Sequence, residues 1–91
     1  VVVIDWANSL RDGAFVSWNL QPGYYQLSLT SARDGARVEW TGTENCDFKT
    51  RDMLQFGQRC KMLRSGTLTV TNPTTFGLGA EISVTVRVTQ F

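Results

Sequence analysis

Apolar and polar residues alternate along most of this chain. Val16, Trp18 and Leu20 are separated by Ser17 and Asn19; Tyr25, Leu27 and Leu29 share one parity, with Tyr24, Gln26, Ser28 and Thr30 on the other. Val38 and Trp40 alternate with Arg37 and Glu39, and Leu68 and Val70 with Thr67, Thr69 and Thr71. The last run is the longest, with Ile82, Val84, Val86 and Val88 set against Glu81, Ser83, Thr85, Arg87 and Thr89. Successive side chains of an extended strand point to opposite faces, so a period of two predicts strands buried on one face and solvated on the other. By that rule Tyr25 belongs to a core and Tyr24 points away from it.

Turn chemistry separates these runs at Asp12-Gly13, Pro22-Gly23, Asp34-Gly35 and Asn72-Pro73. Glycine enters positive φ without a Cβ penalty, proline fixes φ, and Asp or Asn bonds its own backbone. The opening "VVVIDW" supplies one more strand. Only "TGTENCDFKTRDMLQFGQRCKML", residues 41–63, lacks a clean period. Its flanks, Cys46 to Phe48 and Arg59 to Leu63, suit short strands, and Arg51 to Gln55 suits a helical turn. With no amphipathic helix and no internal repeat, the pattern predicts an all-β chain: an antiparallel β-sandwich of seven or eight strands with one disulfide-closed irregular loop. A small barrel is the second choice.

The two cysteines, Cys46 and Cys60, carry the prediction of that bridge. A disulfide closing a loop of this length stabilises a small domain by about 3 kcal/mol on the chain-entropy account. The alternative is a pair of unrelated buried thiols in a cytosolic protein. With the bridge goes the expectation of a secreted protein, extracellular or periplasmic, whose mature chain begins at or near Val1.

Length and composition bound the rest. Ninety-one residues make one domain, 1–91, which buries roughly 60–65% of its unfolded surface around a single core. Apolar residues are 42% and charged residues 19%, a globular balance. The longest apolar run is Val1 to Ile4, too short for a membrane span. Net charge is +1, and the cations Lys49, Arg51, Arg59, Lys61 and Arg64 are interleaved with Glu44, Asp47 and Asp52. Mixed signs of this kind read as a solvated face rather than a nucleic-acid or sulfated-glycan patch. No nucleic acid and no membrane insertion are expected.

The chain has no histidine, which removes the Ser-His-Asp and Cys-His arrangements, the imidazole base and the histidine-ligated metal. Two cysteines cannot complete a structural zinc site, and no phosphate-binding glycine loop is present. Carboxylates exist for a paired-acid glycosidase, but they sit at turns or on outward faces of a domain too small for a deep cleft. No enzymatic activity, metal or cofactor is expected.

Three stretches together bring a family into view: "Leu20-x-Pro22-Gly23-x-Tyr25-x-Leu27-x-Leu29", "Gly66-x-Leu68-x-Val70-x-Asn72-Pro73" and the terminal run of alternating valines. They resemble the small secreted bacterial β-sandwich domains of the pre-peptidase C-terminal (PPC-like) and GOLD-like type. The resemblance covers about half the chain. It departs from the PPC pattern in the cysteine loop and in having no acidic calcium cluster. It implies an accessory or interaction module, often exported and without catalysis, and it carries no functional residues across.

Candidate binding residues follow from the aromatics and the loops. Aromatic residues are 11% of the chain, and exposed rings anchor sugars or protein partners. Trp18 and Trp40 share parity with aliphatic neighbours and read as core. Tyr24 is the ring best placed for exposure. Met53, Leu54 and Phe56 lie among charges in the disulfide-closed loop, either tucked beneath it or displayed on it; a displayed set would be preorganised by the bridge. Phe76 and Leu78 lie in "NPTTFGLGA", residues 72–80, at one end of the predicted sandwich. The resulting expectation is a non-catalytic exported module that binds another protein through its loops. The alternative is a carbohydrate-binding module with an aromatic platform around Tyr24 and Trp6. A third class, a subunit assembling through its edge strands, is suggested by the long, lightly charged final strand.

Overall fold

The computed structural model describes residues 1–33, 35–42, 46–73 and 79–91; Phe76 and Leu78 lie outside the described residues. Eight strands form: β1 (Val2–Leu10), β2 (Phe15–Leu20), β3 (Gly23–Ser31), β4 (Arg37–Thr41), β5 (Phe48–Lys49), β6 (Gln55–Met62), β7 (Gly66–Thr71) and β8 (Ile82–Gln90). They make two four-stranded antiparallel sheets, ordered β1-β8-β3-β6 and β2-β7-β4-β5. This is the strand order of an eight-stranded jelly roll.

The alternation in the sequence becomes the inside and outside of this sandwich. On β8 the burial runs buried, exposed, buried, exposed from Ile82 to Val88, and β3 and β4 keep the same rhythm. Leu27, Leu29, Val38, Trp40, Leu68, Val70, Val86 and Val88 are all essentially inaccessible. Removing a side chain of this kind from water contributes about 2 kcal/mol. The core therefore lies between the sheets and draws on every long strand.

Both open flanks of the sandwich are closed by side chains. On the β1/β2 flank, Trp6 and Trp18 meet edge to face with centroids 5.7 Å apart. On the β5/β6 flank, the Cys46–Cys60 disulfide, with Cα atoms 5.2 Å apart, joins the segment leading into β5 to β6. Beside it, Phe48 of β5 and Phe56 of β6 lie 5.6 Å apart. Tyr25 and Trp40 bridge the layers between the flanks at 6.4 Å, and Trp40 contacts Phe48 at 6.0 Å.

Two expectations change on this architecture, and the strand order adds a fact the alternation does not carry: β3 lies in a different sheet from β2 and β4, so the chain crosses the sandwich both before and after β3. Gly35 takes φ 92°, with Arg33 at 60°, and a Cβ at Gly35 would stand 2.9 Å from the Met53 backbone, to which Ala36 is bonded in both directions. Residues 51–55 form no helical turn: Met53 bridges to Ala36 and β6 begins at Gln55. The final strand offers no edge either. β8 is paired to β1 on one side and β3 on the other, so its light charge reflects an interior position.

One buried polar residue ties the end of the sandwich together. Asn72 donates from Nδ2 to the carbonyls of Leu10 and Ala80, both at 3.0 Å, while its backbone bonds Ala14 and Gly13. It thus links the ends of β1 and β7 to the starts of β2 and β8. Asn72→Ala leaves two inward carbonyls without this donor and is expected to cost about 2 kcal/mol, whereas Asn19→Ala on an exposed face costs about 0.5 kcal/mol or less. Urea unfolding of the two variants checks this; equal midpoints would remove the clamp role from Asn72.

Candidate functional site

The two adjacent tyrosines divide as their parity requires. Tyr25 is 3% exposed, and its hydroxyl donates to the Gln21 carbonyl at 2.6 Å, holding the turn before β3. Burial pushes that hydroxyl above the usual tyrosine range. Tyr24 is 46% exposed on the outer face of the first sheet. It does not stand alone there. Its ring meets that of Phe91 edge to face at 6.0 Å, and Phe91 is itself 65% exposed.

Cations complete this corner. The Arg59 guanidinium lies 5.3 Å from the centroid of the Phe91 ring, a cation–π contact. Lys61 stands directly across from Tyr24 on β6, and Arg59 across from Gln26. Arg87 lies on the same outer face, opposite Ser28 of β3 and Asp5 of β1. Neither of the two salt bridges among the described residues uses Arg59, Lys61 or Arg87. The corner therefore combines exposed rings with cations that, among the described residues, form no salt bridge.

Trp6 belongs to a different surface. It lies on the inner side of β1, opposite Val86, where it packs on Trp18, so Tyr24 and Trp6 face opposite sides of the sheet and cannot form one platform. The candidates between the cysteines also separate. Phe56 is half-buried against Phe48, and Met53 is held by backbone bonds to Ala36 while its carbonyl accepts the Ser31 hydroxyl at 2.7 Å. Leu54 is 54% exposed. The segment is less a protruding loop than the joined edges of both sheets.

The outer face of the second sheet carries Phe15 of β2, 66% exposed, and is otherwise polar. Thr67, Thr69 and Thr71 run along β7, and Ser17 and Thr69 exchange a hydroxyl bond at 2.8 Å. A cleft of about 490 Å³ opens beside β4 and β5, lined by Arg37, Glu39, Lys49, Thr50, Arg51 and Thr71. Two of its three cations are already matched, Arg37 by Asp52 at 2.6 Å and Lys49 by Glu39 at 3.8 Å. Thr50 uses its hydroxyl internally, accepting from the Val38 N–H and donating to the Arg51 carbonyl. The cleft's charges thus largely satisfy one another.

Arg59, Lys61 and Phe91 were not among the residues singled out by pattern. The signal was present for the two cations: they lie in the stretch Arg59 to Leu63 that suits a short strand, and they alternate with Gln58, Cys60 and Met62, which places them on its outer face. Comparison of the chain with family models, curated proteins and solved structures finds no match, so the likeness to PPC-like and GOLD-like domains gains no support from them.

The placement of the cysteine segment makes a direct prediction. Phe56→Ala removes a ring packed against the core and is expected to cost about 2–3 kcal/mol, while Leu54→Ala is expected to stay within about 0.5 kcal/mol. Thermal and urea unfolding measure both. The reverse order would mean that Leu54 is the tucked residue and Phe56 the displayed one.

Proposed function

We propose that this chain is a non-catalytic recognition module that binds another protein through the Tyr24 corner of the first sheet. The observation that carries the reading is the exposed Tyr24–Phe91 pair set beside Arg59 and Lys61. Tyrosine and arginine are among the residues on which binding energy concentrates at protein interfaces: tyrosine buries a large rigid ring, and arginine combines stacking area with a fork of hydrogen-bond donors. The site lies on a sheet face that needs no loop rearrangement. This moves the expected contact from the loops to the sheet, with Leu54 the remaining displayed residue of the cysteine segment. The disulfide favours an exported protein, since such bridges persist in oxidising compartments.

The test is cross-linking from a photoreactive group placed at Gln26, next to Tyr24 on the same face, with the extracellular fraction of the source as the pool of partners. One protein is expected to cross-link in the parent and in Leu54→Ala, and Tyr24→Ala is expected to weaken it by about 2 kcal/mol, or about thirtyfold. Cross-linking indifferent to Tyr24→Ala would refute the assignment. A glycan-array signal lost in Tyr24→Ala, with no protein captured, would move the module to the carbohydrate-binding class.

A further inference from the structure

The backbone of β6 shows which of its groups are free. The Phe91 N–H donates to the Tyr24 carbonyl at 2.9 Å, so the backbone groups of Tyr24 point toward β8. Tyr24 and Lys61 are partners in the β3–β6 register, and that pair is consequently a non-hydrogen-bonded one. At the other end, the Ser31 N–H donates to the Leu54 carbonyl at 2.8 Å, which fixes the same alternation independently. It follows that Leu54, Phe56, Gln58, Cys60 and Met62 bond to β3, while Gln55, Gly57, Arg59 and Lys61 turn their N–H and C=O groups outward.

Among the described residues no strand covers that outward side, since β6 ends its sheet. The Arg59 carbonyl accepts only a side-chain bond from Gln58 Nε2, at 3.1 Å. Unpaired backbone groups on a long edge are a template for another strand. Three features decide what strand fits. Arg59 and Lys61 project from the outward-facing residues, which penalises a basic strand and favours an acidic one. A second copy would bring the same two cations and place four on one ladder. Gly57, two residues before Arg59 on the same side of the strand, has no side chain, and a Cβ there would meet nothing closer than 3.7 Å, so a strand can approach closely at that point of the edge. The disulfide at Cys60 holds β6 in place before any partner arrives.

We infer that the edge of β6 is a strand-addition site for an extended acidic segment of a partner protein. The segment adds antiparallel or parallel to β6, bonds the outward groups of Gly57, Arg59 and Lys61, and places its carboxylates beside Arg59 and Lys61. Its intervening apolar side chains cover the half-buried Phe56. The inference rests on the protein-binding reading of the Tyr24 corner and adds the conformation and charge of what is bound. The cations that select the partner also protect the empty edge from unwanted pairing.

Two synthetic peptides of about nine residues, alternating Val with Glu or Val with Lys, probe the site by NMR amide exchange. The Glu peptide is expected to slow exchange at Gly57, Arg59 and Lys61, and the Lys peptide to leave it unchanged. Gly57→Pro removes an N–H that the β3 ladder does not use, so the fold is retained and binding of the Glu peptide falls at least about tenfold. R59E/K61E is expected to reverse the preference between the two peptides. If the Glu peptide binds as well to Gly57→Pro, or gives no protection on β6, strand addition is wrong. Loss on Tyr24→Ala but not on Gly57→Pro would leave the corner as the binding face and remove the edge. Loss on neither would remove both.

Discussion

Everything in this structure depends on two layers of strands each presenting an apolar face to the other. A strand with a period of two has only one such face, and a single sheet built from these sequences would leave it in water. Packing the sheets face to face buries both at once. The cost of the arrangement falls at the flanks, where the edge strands have a neighbour on one side only. There the protein uses its largest and most durable contacts: the Trp6–Trp18 pair on one flank, the Cys46–Cys60 bridge with Phe48 and Phe56 on the other.

This use of the aromatics explains what is left for recognition. Six of the rings, Trp6, Trp18, Tyr25, Trp40, Phe48 and Phe56, lie in contacts between or along the layers. Tyr24 and Phe91 on the first sheet, and Phe15 on the outer side of β2, are different, because they are exposed; of these, Tyr24 and Phe91 pair with each other beside cations. Their exposure is not forced by the fold. The outer face of the second sheet, with matched ion pairs and a hydroxyl ladder, meets solvent on its own terms. The first sheet has, among the described residues, cations outside any salt bridge beside exposed rings at one corner, with the edge of β6 next to them.

Much of this was legible in the residues. The alternation fixed which side of β3, β4, β7 and β8 is core, and it separated Tyr24 from Tyr25. What alternation cannot encode is which strand lies beside which. Light charge on the last strand is compatible with an edge or with an interior place, and pairing with β1 and β3 decides for the interior. Between the cysteines only the flanking strands were legible, and the start of β6 at Gln55 was hidden for a related reason. Its cations and its cysteine occupy the outer and inner positions of an edge strand, where the outer face is charged and the inner face is only half covered, so the usual contrast is blurred. Phe91 could not be recognised as Tyr24's neighbour, because that contact depends on the β3–β8 register.

The sandwich, the bridge and the proposed recognition edge all meet on β6, so its orientation decides between them. Native-state hydrogen exchange of its amides in the unliganded protein tests it most directly. An alternating profile is expected: slow exchange at Phe56, Gln58, Cys60 and Met62, which bond to β3, and fast exchange at Gly57, Arg59 and Lys61, which face solvent. Uniform protection along the strand, or an alternation of the opposite phase, would contradict it.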